Sequence, residues 1–213
     1  IGVHNIYIEN TELYDTAFTG FDIVSGNNWV IKNCYVHDYG KQKGVSYGIF
    51  LKGGGKNGII EGCFVDGKAS STTVGISFGG GLTGEQWLPL IDGKLAPEHF
   101  EGIARNNIVI NTTDVAYHSN NGSNCHYYNN LAWNCKNFQR QKSYPDDPRL
   151  FNNLLAGKYR GVHSDSANNI NELDAKWFVD PEKNDFRLSK EGIRKLKRKA
   201  VKSDKRPSDM FSN

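Results

Sequence analysis

The chain has 213 residues, enough for one sizeable hydrophobic core and too few to require two domains. With 38% hydrophobic and 23% charged residues it is not a disordered polypeptide, and no apolar run approaches the roughly 20 residues of a membrane helix. The net charge of +3 is unevenly spread: Lys190 to Arg206 holds nine Lys/Arg against two Asp/Glu, which leaves the rest of the chain mildly acidic.

A short phrase recurs from the N-terminus onward: two apolar residues, usually a polar residue, then Asn or Gly, one residue more and a second apolar pair. It is met in Tyr7-Ile8-Glu9-Asn10, Val30-Ile31-Lys32-Asn33, Ile59-Ile60-Glu61-Gly62, Ile103-Ala104-Arg105-Asn106, Tyr127-Tyr128-Asn129 and Leu150-Phe151-Asn152. Successive Asn/Gly positions lie 23, 29, 44, 23 and 23 residues apart. Three equal intervals, and two longer ones that fit the same unit with insertions, are the mark of a stacked solenoid. The apolar runs are short, β-branched or aromatic, and bounded by Gly and Asn, so they read as strands. No coil contains an amphipathic helix. Strands that return to one register in every coil must pair in parallel, and Asn at a recurring corner tolerates a left-handed backbone and can stack its amide along the axis. The expected fold is all-β, a right-handed parallel β-helix of about six to seven coils over residues 1–173. A C-terminal cap and basic tail are expected over 174–213.

Along the chain, the first strand starts almost at once and there is no initiator Met, so earlier coils or an N-terminal cap are expected in a parent protein. Alternation in Gly20-Phe21-Asp22-Ile23 places Asp22 outside, and in Gly48-Ile49-Phe50-Leu51-Lys52-Gly53 it places Ile49 and Leu51 inside and Phe50 and Lys52 outside. The long coils put their insertions around 39–47 and 82–100. The second contains Trp87, His99 and Phe100, aromatic groups able to stack on sugar rings. Otherwise His37, His99 and His163 read as ordinary surface or turn residues. In Val115-Ala116-Tyr117-His118-Ser119-Asn120 one face carries Val115 and Tyr117 and the other His118 and Asn120. Phe138-Gln139-Arg140-Gln141-Lys142 follows one coil on. Asp38 and Asp66 follow equivalent strands and could pair near a corner. Cys34 and Cys63 should stack on adjacent coils; the four cysteines have no zinc spacing. After Ser166 the repeat fades, and Trp177, Phe178, Phe186 and Leu188 are expected to face inward over the last coil, followed by a basic helix from Ser189 to about Val201.

The coil repeat, with Phe178-Val179-Asp180-Pro181 and Asp185-Phe186-Arg187-Leu188, resembles the pectate-lyase-like superfamily of right-handed β-helices. That resemblance implies an elongated groove for a polysaccharide and a secreted or cell-surface location, but such helices host lyases, hydrolases and non-catalytic tailspikes alike. Leu51-Lys52-Gly53-Gly54 resembles the strand of family 9 pectate lyases that carries a catalytic lysine before a glycine pair. Gly20-Phe21-Asp22-Ile23 resembles the calcium coil of that family. Only Asp22 stands there, although calcium takes six to eight oxygens, so calcium is a possible rather than an implied ligand. The expected activity is β-elimination on a polyuronate. This needs a base for the proton α to the carboxylate and positive charge for the resulting anion. Lys52, His118 and Arg140 are the candidate catalytic residues. Asp22, Tyr117, Asn120, Lys142 and Trp87 are the candidates for binding the polysaccharide, and Asp22 for a metal. A glycoside hydrolase and a non-catalytic polysaccharide-binding or tailspike-like module remain open. No nucleic acid is expected as a partner: the basic tail lacks companion aromatics and reads as a solvated helix.

Overall fold

The computed structural model describes residues 2–69, 71–80, 83, 87–141, 148–156, 159–160 and 167–197. The chain is a parallel β-solenoid with three sheets along its length, each six strands deep. Sheet A stacks Tyr7–Glu9, Val30–Lys32, Ile59–Glu61, Ile103–Arg105, His126–Tyr128 and Arg149–Phe151. Sheet B stacks Glu12–Leu13, Tyr35–Val36, Phe64–Asp66, Ile108–Ile110, Leu131–Trp133 and Leu154–Leu155. Sheet C stacks Phe21–Val24, Val45–Lys52, Thr72–Phe78, Val115–Asn120, Lys136–Gln141 and Tyr159–Arg160. Six strands make five complete turns from first to last. The bridges Phe151–Ala167 and Leu154–Ile170 begin another, close to the six to seven coils read from the spacing.

The corners explain the repeat. Asn10, Asn33, Gly62, Asn106, Asn129 and Asn152 all occupy the turn from sheet A to sheet B with φ between 49° and 64°. Only Asn, Asp and Gly enter that left-handed region at small cost. The axial amide ladder, however, belongs to the following residue. Asn107 Nδ2 donates to Asn130 Oδ1 (3.1 Å), Asn130 Nδ2 to Asn153 Oδ1 (3.0 Å) and Asn153 Nδ2 to Asn169 Oδ1 (2.8 Å), all within the core wall. Each amide also bonds a backbone carbonyl of the preceding coil, as Asn130 does with Ala104 (2.9 Å). Cys63 precedes Asn107 in this column, its N–H bonded to Asn107 Oδ1 (2.9 Å), and Cys34 precedes Cys63; both are buried.

The core is one continuous stack of inward residues: Ile31, Ile60, Ala104, Tyr127 and Leu150 from sheet A, Val36, Val65, Val109, Ala132 and Leu155 from sheet B, and Ile49, Ile76, Tyr117 and Phe138 from sheet C. Burying each larger side chain contributes about 1.5–3 kcal/mol.

The C-terminal segment differs from its expected seat. A hairpin of Phe178–Asp180 and Asp185–Leu188 is followed by helix α1 (Lys190–Leu196), N-capped by Ser189, whose Oγ accepts from Gly192 N–H (3.1 Å). Phe178 and Phe186 pack with Ile110 and Leu131, flanked by Phe64, Ile108, Trp133 and Leu154. These residues belong to the outer face of sheet B, so the hairpin lies along the side of the solenoid. The cause is the outward apolar residues of coils 3 to 6, which need a cover of their own. Trp177 is half-buried, whereas Leu188 is exposed and not among the inward residues. Val201 lies outside the described residues. Among those described, no helix is long and apolar enough to cross a membrane.

Candidate functional site

The outer face of sheet C carries the residues singled out in the sequence. The register stacks Asp22, Phe50, Ser77, His118 and Gln139 in one outward column. One residue pair further along, Lys52 stands beside Val24, and Asn120 beside Gln141. Lys52 and Asp22 are bonded: the ammonium lies 3.2 Å from Asp22 Oδ1 and 3.3 Å from Oδ2. The same nitrogen sits 4.3 Å above the centre of the Phe50 ring, a cation–π contact.

Phe50 belongs to an aromatic plate that alternation alone does not foresee. Tyr47 stacks on it at 3.9 Å between ring centres and 12° between planes, and His118 follows Tyr47 at 6.4 Å and 15°. Two aromatic residues three apart in a strand share a face only if the pleat shifts between them. Gly20, Gly48, Gly75 and Ala116 form a column of small residues at that point. A Cβ on Gly48 would lie 2.4 Å from Val65 Cγ1, and one on Gly75 would lie 2.4 Å from Ala116 O. The strands press into the core there, and Tyr47 emerges on the Phe50 side. Recurring glycines at 20, 48 and 75 were the available signal in the sequence.

His118 is only 5% exposed. Burial drives its pKa down to about 4, against weaker upward pulls from its bond with Gln141 and from the charge of Asp114, so the ring is neutral at pH 7. Its Nδ1 lies 3.3 Å from Ser77 Oγ, and Ser77 itself donates to Gly79 O (2.6 Å). With its own proton on Gly79 O, Ser77 Oγ can accept from Nδ1–H, in the tautomer that puts the lone pair on Nε2. Tyr47 is pushed above the usual tyrosine range by burial first and then by Asp114 and Asp22.

The second insertion walls the Lys52 end of this face. Gly53 and Gly54 turn with φ of 70° and 77°, and the Trp87–Pro89 segment packs over Gly54. Glu98, unnoticed in the sequence and 1% exposed, ties the wall down. Its carboxylate accepts from Gly53 N–H (2.9 Å), Thr83 N–H (3.0 Å) and Thr83 Oγ1. Trp87 is half-buried beside Gly54, while Leu88, buried, anchors the loop.

Several sequence expectations need correction. Tyr117 is a core residue, fully buried, whose hydroxyl donates to Asn107 O (3.0 Å) and Leu131 O (2.9 Å); it cannot reach a polysaccharide. His99 lies neither at the surface nor free for sugar stacking. It is buried against Phe78 (5.0 Å, 16°), Gly58 N–H donates to its Nε2 (3.3 Å), and burial lowers its pKa to about 3. Asp38 and Asp66 do not pair. Asp38 bonds His37 Nδ1 (2.7 Å), and Asp66 accepts from Asn111 Nδ2 (3.0 Å) and Lys68 N–H (3.1 Å). Arg140 pairs in register with Ser119, one step from the His118 column, and its side chain lies outside what is described. Lys142 and His163 lie outside the described residues.

As a metal site the face fits poorly. Asp22 is engaged by a cation, and among the described residues no three His, Cys, Asp or Glu side chains gather as ligands. A calcium ion, which takes six to eight oxygens, has no cage at Asp22. What the face offers is an ammonium paired with Asp22, half-buried Tyr47 stacked on buried Phe50, a neutral imidazole and an amide, Asn120, whose buried Oδ1 accepts no hydrogen bond among the described residues.

None of the curated proteins compared matches the chain. Among solved structures it is similar to the crystal structure of the Agl-KA catalytic domain, with 16% identity and a TM-score of 0.42 over 82% of this chain and 27% of that one. The chain thus spans about a quarter of the length of that domain, and a likeness this distant says nothing of chemistry. The family model described as right handed beta helix region matches residues 1–174, and the chain belongs to that family.

Proposed function

We propose that this protein is a secreted or cell-surface carbohydrate-active β-helix that cleaves an acidic polysaccharide, a polyuronate, by β-elimination on the outer face of sheet C. The observation that carries the reading is the row of Lys52, the Phe50–Tyr47 plate and neutral His118 on one face. Half-buried Tyr47 is the ring of this stack that a sugar can meet; Phe50, 4% exposed, backs it. His118 Nε2 takes the proton α to the uronate carboxylate. The C–H electron pair forms the new carbon–carbon double bond as the glycosidic C–O bond breaks, and the imidazolium returns the proton to the leaving oxygen. Lys52 holds the negative charge that builds on the carboxylate. The sequence pattern favours Lys52 as the base. Its ion pair with Asp22 supports the cationic role instead, because a base needs a lone pair and this nitrogen donates to a carboxylate.

A hydrolase mechanism is less well supported. Asp22 and Asp114, the carboxylates that act on Tyr47, stand in the first and fourth coils. At about 4.8 Å per coil their backbones are about 14 Å apart along the axis, wider than the roughly 5–9.5 Å of glycosidase pairs. The burial of His118 favours a second reading, a non-catalytic polysaccharide-binding module.

The test is the ultraviolet absorbance of unsaturated uronate products over a panel of polyuronates. Wild type is expected to generate the signal, and His118→Ala to lower the rate by about 10²-fold or more. Lys52→Arg, which keeps the charge, is expected to retain more activity than Lys52→Ala; equal loss in both would return Lys52 to the role of base. No product from any polymer, with binding retained, would replace the enzyme by the binding module.

A further inference from the structure

The corner between sheets B and C carries a groove that the reacting face does not use. Three depressions open there, of about 540, 300 and 640 Å³. The first and second share Asn111 and Asn134, and the second and third share Thr113, so they form one trench. Its walls run from Lys43 in the second coil to Ala156 in the sixth. Four coil spacings make it about 19 Å long, parallel to the solenoid axis. Trp133 and Pro181 close one end. The other adjoins the reacting face, because Asp114 lines it and also acts on Tyr47.

The trench is polar and carries charge of both signs. On its floor Asn134 Nδ2 donates to Asn111 Oδ1 (2.8 Å) and Asn111 Nδ2 to Asp66 Oδ1 (3.0 Å), both amides standing on left-handed corners. Lys43, Lys68 and Lys136 line it against Asp114 and Glu182, and Lys136 lies 3.6 Å from Asp114. With Asp66 on the floor the three lysines meet three carboxylates, but Lys43 and Lys68 are exposed and make no ion pair among the described residues, so the free ammonium groups stand at the end nearest the reacting face. An elongated trench with an amide floor and lysines on its rim suits a chain bearing both hydroxyls and carboxylates.

We infer that this corner trench is a second binding site for the acidic polysaccharide, holding a stretch of chain beside the reacting face. The inference rests on the reading of the substrate as an acidic polymer. Lys43 and Lys68 meet its carboxylates, and the Asn111–Asn134 row meets its hydroxyls.

Affinity electrophoresis of the full chain tests it, in native gels containing polygalacturonate, alginate or a neutral β-glucan. Wild type is expected to be retarded by an acidic polymer and not by the glucan. Lys43→Glu with Lys68→Glu is expected to raise the Kd at least tenfold while the melting temperature stays within a few degrees; if that pair does not fold, Lys43→Gln with Lys68→Gln takes its place with the same expectation. Undiminished retardation of the double variant overturns the trench. If Lys52→Ala with His118→Ala abolishes retardation while the trench variant keeps it, the trench falls and the reacting face stands. A wild type retarded by no acidic polymer overturns both.

Discussion

Replacing Asn130 by alanine tests the idea that stacked amides inside the wall hold the coils together. Asn130 is 1% exposed. Its Nδ2 donates to Ala104 O and Asn153 Oδ1, and its Oδ1 accepts from Asn107 N–H (3.0 Å) and Asn107 Nδ2 (3.1 Å). A methyl group in that place leaves the Ala104 carbonyl and the Asn107 N–H facing nothing polar. Each buried polar group without a partner costs about 1–3 kcal/mol, so the two together should cost about 2–6 kcal/mol. For a chain of this size that is a fall of roughly 5–20 °C in melting temperature. The neighbouring Asn129→Gly is the control. Asn129 is exposed with φ of 52°, a conformation glycine adopts freely, so its replacement should stay within about 0.5 kcal/mol. Urea denaturation of both variants decides the matter. If Asn130→Ala costs no more than Asn129→Gly, the amide column is incidental and the corners and core alone hold the stack.

The side-mounted hairpin makes Phe178→Ala expensive, about 3 kcal/mol or more by the same denaturation assay, whereas exposed Leu188→Ala should cost under about 0.5 kcal/mol; equal costs would mean that the hairpin is not seated on sheet B. Acid should destabilise the fold through His99 and His118. Burial lowers both pKa values, to about 3 and about 4, so their contribution is fully present above the unfolded value of about 6.5 and is lost as pH falls from there through the folded values. His118→Gln should therefore flatten the fall in stability between pH 6.5 and about 4, and an unchanged slope would count against burial as the cause. If His118 is the base, kcat/KM in the free enzyme should hold down to about pH 4 and fail below it; an acid limb near the ordinary histidine value, about 6.5, would remove His118 from that role.

The coil period was legible because its cause is local. A left-handed corner admits almost only Asn or Gly, so the spacing of those residues tracks the corners directly, and insertions shift the spacing without erasing it. The amide ladder was misread by one residue for an equally local reason. Asn106-Asn107, Asn129-Asn130 and Asn152-Asn153 are doublets in which the first member turns and the second stacks. The earlier coils break the doublet with Cys34 and Cys63, which fill the same column as small apolar groups, and the pattern is lost there. The hairpin was recognisable by its aromatic residues, but its seat depends on which neighbours of sheet B are left uncovered. That is a property of several coils together, written in Phe64, Ile108, Trp133 and Leu154 rather than in the hairpin itself.

The site was half legible for a related reason. Strict alternation assigns Lys52, Phe50, Asp22 and His118 correctly to the outer face, since the register between Phe21 and Val24, Ile49 and Lys52, and Tyr117 and Asn120 is regular. It fails for Tyr47, because the glycines at 48 and 75 let the strand press inward and shift the pleat. It also fails to foresee Glu98, whose carboxylate fixes the Gly53 turn from an insertion that has no period at all. The consequence is chemical. With the Tyr47–Phe50 plate between them, Lys52 and His118 are not interchangeable members of one ridge: one is an ammonium held by Asp22, the other an imidazole kept neutral by burial. An ammonium paired with a carboxylate and an imidazole kept neutral by burial, on one face, are suited to divide the work of an elimination, the neutral one taking the proton and the charged one holding the anion it leaves behind.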